Sequence, residues 1–270
     1  MTLTLEEIEM VRGRWRRTRE LIGLGDPGGE GFGQGGLVAH VDDVGVRFLV
    51  LPADPEHSQI HFEGDFWEWW MENRPNPFEG AAPTAWGNQS TPTAHSAVRF
   101  NQQNGKWSWR NYLALHRNGG LEFGLGEDGV EEWGGRQEGE THRGFFLTTI
   151  VGRIWVSLNL YRDVVTRYEA VSGPWEVNLV LVKTKDALLG NVAAGWRDFN
   201  GWSPREPPRC PDPHLQFRLE IEEWPNDDQQ MNLAFQFGGM IEDAWGVRDR
   251  RWLIDPRNAG AGNFDVSRYR

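Results

Sequence analysis

Three stretches, Ala97-Val98-Arg99-Phe100, Lys106 through Leu115, and Leu121-Glu122-Phe123-Gly124-Leu125, alternate or run apolar over strand lengths, with Asn104-Gly105 and Asn118-Gly119 between them. Asn-Gly supplies the positive φ angles of a type I′ turn, so the spacing predicts an antiparallel meander. Downstream, from Phe145 to Tyr168, apolar residues recur at Ile150, Val151, Ile154, Trp155, Leu158, Tyr161, Val164, Val165 and Tyr168. That is the repeat of a long amphipathic helix, about 36 Å if unbroken at 1.5 Å per residue. Gly173-Pro174 ends it, and Trp175–Lys183 reads as a strand. Leu215, Phe217, Leu219 and Ile221 alternate with Gln216, Arg218, Glu220 and Glu222, the pattern of a half-buried strand. Asn226 or Asp227 then caps a closing helix through Leu233, Phe237, Ile241 and Trp245. Strands grouped between helices, without regular β-α alternation, predict an α+β fold: antiparallel sheet or sheets packed with a long amphipathic helix and a C-terminal helix.

Upstream the pattern is less regular. Thr4 and Glu7 fit a capping box, and Leu5, Ile8, Val11, Trp15, Thr18 and Ile22 share a helical face, so residues 4–22 are expected to be a helix. Its other faces carry Arg12, Arg14, Arg16, Arg17 and Arg19, which fit either an anchor for an acidic partner or nucleic acid, or a solvated face paired with nearby carboxylates. Gly31 to Gly36 spells G-x-G-x-x-G, but a helix precedes it and an apolar run follows. A dinucleotide fingerprint needs the opposite order, so a glycine-rich loop is expected. Leu37–Val41 and Val46–Leu51, separated by Asp42 to Gly45, suggest a hairpin, and Gln59–Phe62 a short strand. Asp65 is placed to cap a helix of about two turns that stops near Pro75. The Pro- and Thr-rich stretch 75–95 marks the best boundary between a small N-terminal lobe, residues 1–92, and an α+β domain, residues 93–270, unless the chain forms one continuous domain.

Composition narrows the function. The chain of 270 residues carries a net charge of −11, which disfavours a generally basic nucleic-acid-binding body and leaves only the Arg12–Arg19 helix for such contact. Cys210 is the only cysteine, so there is no intrachain disulfide and no cysteine cage for zinc, as fits a reducing cytoplasm. The start at Met1 lacks the basic and apolar run of a secretory signal, and no stretch has the apolar length of a membrane span. A cytoplasmic location without membrane contact is the expectation.

Chemistry-bearing residues are sparse. Asp54, Glu56, His57, His61, Glu63 and Asp65 form the one short segment dense in histidine and carboxylates. It reads either as a hydrolytic, metal-assisted site or as an exposed polar turn. His142, with Arg143, Glu138 and Glu140, precedes the long helix, either as a proton-transfer group or as part of a solvated helix-entry turn. The pairs Glu131-Glu132 and Glu222-Glu223 make no catalytic dyad by adjacency, because neighbours on a strand point to opposite faces. No nucleophile elbow, phosphate loop or zinc-protease signature occurs, and no metal or cofactor is expected. Fifteen tryptophans are the conspicuous feature, with Trp67, Trp69 and Trp70 inside four positions and Trp107 and Trp109 nearby. One helical face cannot hold three such indoles, so at least one is expected at a surface or beneath another chain. Sugar stacking on Trp67, Trp69, Trp107 or Trp109 is a further reading.

The segments Tyr112 to Glu122, Ser172 to Leu179 and Met240 to Gly246 resemble the C-terminal region of bacterial proteins with a Schlafen-type AlbA_2 domain, over about residues 95–250. The resemblance implies a link to regulation or phage defence, the AlbA_2 domain itself being a nucleic-acid-binding or nuclease unit. This chain shows no recognisable AlbA_2 core, so neither nuclease activity nor any catalytic residue carries over. The expectation is a non-catalytic binding or assembly module using Trp67, Trp69 and Trp70, with Arg12, Arg16 and Arg19 as a second contact, to engage a protein partner or its own copy.

Overall fold

The computed structural model describes residues 45–53, 60–72, 89–92, 96–103, 106–126, 130–134, 141–190 and 209–247. The predicted helix 4–22, its arginines, the glycine-rich loop, Leu37–Val41 and His57 lie outside them. Strand β1, Val46–Leu51, is buried at all six positions. It lies between β5, Leu121–Leu125, and β8, Trp175–Val182, antiparallel to both, with Phe48 opposite Phe123 on one side and Leu179 on the other. Both edges are therefore taken, and β1 is not one arm of the hairpin expected with Leu37–Val41. An apolar run such as Phe48–Leu51, here preceded by a buried Arg47, is what a central strand covered on both faces requires.

The remaining strands of this sheet are β2, Gln89–Pro92; β3, Ser96–Gln103; β4, Lys106–His116; and β10, His214–Ile221. The order is β10-β8-β1-β5-β4-β3-β2, and every neighbouring pair is antiparallel. The predicted meander is present as β3, β4 and β5. Its second turn differs in type: Gly119 has φ +85° while Asn118 does not enter the positive-φ region. Gly119 N–H donates to His116 O at 3.0 Å and His116 N–H to Gly120 O at 2.8 Å, which is a three-residue connection closed by a left-handed glycine. Asn118 instead uses its side chain, accepting from Gly120 N–H at 3.0 Å. The expected strand at Gln59–Phe62 is absent over its described part, where Ile60 to Glu63 have no regular structure.

Helix α1, Phe66–Glu72, begins where expected after Asp65. Helix α2, Leu147–Arg167, is the long amphipathic helix, about 31 Å at 1.5 Å per residue. Helix α3, Asp227–Ala244, opens with a full capping box: Asn226 accepts from Gln229 N–H, and the Gln229 side chain accepts from Asn226 N–H. One face of the sheet, with Val46, Phe48, Val50, Leu113, Leu115, Leu121, Phe123, Val177 and Leu179, packs on Ile150, Ile154, Leu158 and Tyr161 of α2 and Phe237 and Ile241 of α3. Ring contacts tie the layers together: Phe48 stacks on Phe123 at 5.1 Å and meets Phe237 edge-on at 5.9 Å. The buried Tyr161 hydroxyl donates to Gly119 O at 2.7 Å, fixing α2 to the β4–β5 turn. Residues on both sides of position 92 thus share one sheet and one core.

A second, three-stranded sheet has the order β6-β7-β9, from Val130–Gly134, Thr141–Phe146 and Leu188–Gly190. The β7–β9 pair is parallel, and β7 runs directly into α2. The segment around His142 is therefore a strand, with His142 opposite Trp133, and not a solvated helix-entry turn. Glu132 and Arg143, which face each other on β6 and β7, form an ion pair. Trp245 closes this end, its indole N–H donating to Ala187 O at 2.9 Å and its ring lying 5.6 Å from that of Phe145.

Candidate functional site

Helix α1 has seven residues, and five of them are large and apolar. Helical spacing puts Phe66 and Trp70 on one face, four residues apart, and both are fully buried. Trp67 and Met71 share one flank, Trp69 lies on the other, and Glu68 and Glu72 are exposed. The expectation that one helical face cannot hold three indoles resolves residue by residue. Trp70 is sealed, so it supports the surface from beneath and does not form part of it. Trp67 and Trp69 are half-buried, and Met71 is 37% exposed, the one exposed large hydrophobic side chain among the described residues.

The supports of α1 are specific. Trp70 N–H donates to Ser90 Oγ at 2.9 Å, and that hydroxyl donates to Val98 O at 3.1 Å, joining the helix to β2 and β3. Arg99, 2% exposed, donates to Trp70 O at 3.3 Å and lies 5.8 Å from the Trp70 ring centre. A buried cation at the end of the helix answers the unpaired carbonyls there. Trp67 packs on Phe66 at 5.1 Å and on Phe62 at 6.1 Å, and Arg117 covers the Phe62 ring at 4.5 Å. Trp69 is partly covered from α2, by Arg167 at 5.3 Å and by Tyr168 edge-on at 6.4 Å. Arg167 also pairs with Asp65, and this hydrogen bond is the main reason that the Asp65 carboxyl is held below its ordinary range. The result is a small apolar strip, Trp67 and Met71, with the exposed carboxylates Glu68 and Glu72 beside it on the same helix.

A second constellation lies on the sheet face opposite the helices. Leu121-Glu122-Phe123 sends Glu122 away from the core by simple alternation, yet Glu122 is wholly buried. The Tyr112 hydroxyl donates to Glu122 Oε1, and His116, also wholly buried, brings Nε2 to 3.6 Å from Glu122 Oε2. Among the described residues neither His116 ring nitrogen has a hydrogen-bond partner. On the same face Asn178 donates to Glu176 Oε1 at 2.8 Å, and Arg218 donates to Glu176 Oε2 at 2.6 Å. Such groups stay inside a protein only when neighbours compensate their lost hydration. A carboxyl group that accepts from a tyrosine hydroxyl with a histidine nearby is an arrangement that orients a proton, here with Glu122 and His116 wholly buried and Tyr112 half-buried.

The other sequence candidates do not converge with either place. His61 is exposed in irregular chain, and among the described residues no group of three or more histidine, cysteine or acidic side chains is arranged to hold a metal ion. His142 is half-buried on β7. Glu222 and Glu223 are both exposed just after β10. Cys210 is buried, with Sγ 3.5 Å from Asp212 O, and burial pushes its thiol pKa up, the reverse of what a nucleophile needs. Sequence reasoning missed Tyr112, His116 and Glu122, because alternation on a strand separates two faces without saying that both are covered. Among the described residues no helix is long and apolar enough to cross a membrane. No protein-family model, curated protein or solved structure matches this chain.

Proposed function

We propose that the chain is a cytoplasmic binding or assembly module without chemistry of its own, an accessory component of a bacterial regulatory or phage-defence system. The observation that carries this reading is the strip on α1, where Trp67 is half-buried and Met71 is 37% exposed beside it. Apolar side chains beside charged ones are a common composition of protein contact surfaces, in which an aromatic anchor and a methionine supply area and the charges supply register. The strip also rests on fixed supports. Trp70, Ser90 and Arg99 hold α1 in place, so a partner would meet a prearranged surface and lose little conformational freedom on binding. The resemblance to the C-terminal region of AlbA_2-domain proteins supports the regulatory or defence setting. His61 is exposed in irregular chain, and burial raises the Cys210 thiol pKa away from the nucleophilic thiolate.

Immobilised wild-type chain, Met71→Glu and Trp67→Ser, each checked for folding by circular dichroism, test the proposal against bacterial lysate. A partner retained by the wild type and lost by both variants is the expected result. Equal retention by all three, or none by the wild type, overturns the assignment of the α1 strip.

A further inference from the structure

Among the described residues the large sheet ends on one side at β10, an eight-residue strand paired with β8 in unbroken register from His214–Val182 to Ile221–Trp175. An edge of this length offers a row of backbone donors and acceptors to any other strand, and proteins usually block such rows with proline, lysine or a bulge. Strand β10 contains no proline, lysine or bulge, and the two charges it carries, Arg218 and Glu220, are of opposite sign. At the opposite edge β2 is four residues long and ends in Pro92.

The side chains of β10 are self-complementary. On one face Arg218 and Glu220 alternate, and on the other Phe217, Leu219 and Ile221 are all half-buried. We propose that β10 pairs with β10 of a second copy, antiparallel and centred on Leu219, to give a two-fold dimer with a continuous fourteen-stranded sheet. Two copies related by a two-fold axis place residues together whose numbers sum to a constant, so a centre at Leu219 fixes every pair. Arg218 then faces the partner's Glu220 twice, Phe217 faces the partner's Ile221 twice, and Leu219 meets itself. A centre at Arg218 would oppose two arginines, which is unfavourable. Arg218 is held ready by Glu176 at 2.6 Å and by its own Glu220 at 2.8 Å, while the Glu220 side chain is 71% exposed. This surface is separate from α1, and its test does not depend on the function proposed for α1.

Sedimentation velocity across micromolar concentrations measures the mass. The wild type is expected to reach twice its monomer mass, and Glu220→Arg, which sets arginine against the partner's Arg218, is expected to stay monomeric with an unchanged circular dichroism spectrum. Under mild oxidation Leu219→Cys is expected to form a disulfide-linked dimer, and Phe217→Cys, which faces position 221, is not. A wild type that is monomeric throughout overturns the proposal. So does a dimer indifferent to Glu220→Arg, a dimer abolished by Met71→Glu in its place, or cross-linking through position 217 alone.

Discussion

Glu122 shows how a single position can be read correctly for direction and still be misjudged for environment. Its place between Leu121 and Phe123 sends it to the face away from the helices, where a carboxylate would ordinarily meet water, and instead it is fully buried with the Tyr112 hydroxyl on Oε1. Removing that hydroxyl leaves a buried carboxyl oxygen with one donor fewer. Leaving a buried acceptor without its donor costs about 1–3 kcal/mol, so Tyr112→Phe is expected to lower the unfolding free energy by about that amount, read as a fall in the urea midpoint at unchanged slope. A midpoint equal to that of the wild type would mean that the Tyr112 hydroxyl adds nothing to Glu122. The alternation of β5 was legible in the sequence. Coverage of both faces was not, because it depends on what the chain lays over the sheet from distant positions.

Among the elements, those whose pattern is set by near neighbours were the legible ones. The α3 start was readable as Asn226 or Asp227 ahead of an apolar repeat, and the half-buried alternation of β10 was readable from Leu215 to Ile221. Asn226→Ala removes the side-chain acceptor for Gln229 N–H and is expected to cost about 1 kcal/mol, with native-state hydrogen exchange quickening first in the opening turn of α3. Pairings with remote partners were missed. The run Val46–Leu51 suggested a hairpin because a turn-like segment precedes it, whereas its partners are β5 and β8, far along the chain. The short strands β6, β7 and β9 gave no signal, since a parallel pair such as β7–β9 has no turn chemistry to announce it. Helix α1 depends on its neighbours in yet another way, through Asp65 and Arg167. With the carboxyl pKa lowered in the folded state, the pair adds stability above the ordinary carboxylate range and loses it as pH falls through the lowered value. Asp65→Asn is therefore expected to unfold at a lower urea midpoint than the wild type at neutral pH, with the two converging in acid and at high salt. A gap that persists in acid would contradict the assignment to this ion pair.

For the whole molecule the decisive fact is the position of β1. It comes from the early part of the chain, yet it lies between β5 and β8 and supplies Phe48 to the contact with both Phe123 and Phe237. A core assembled this way has no natural seam, because removing β1 would separate β8 and β10 from β5, β4, β3 and β2. The described sheet and helices should accordingly unfold in one step, with far-ultraviolet circular dichroism and tryptophan emission changing together. Truncating a buried phenylalanine costs about 3–5 kcal/mol, against a total stability of about 5–15 kcal/mol for a typical domain. Phe48→Ala is thus expected to weaken the whole fold, lowering the midpoints of both signals by the same amount. If the two signals separate in this variant, with helical dichroism surviving the loss of tryptophan burial, then α2 and α3 hold together without the sheet, and β1 does not unite the core.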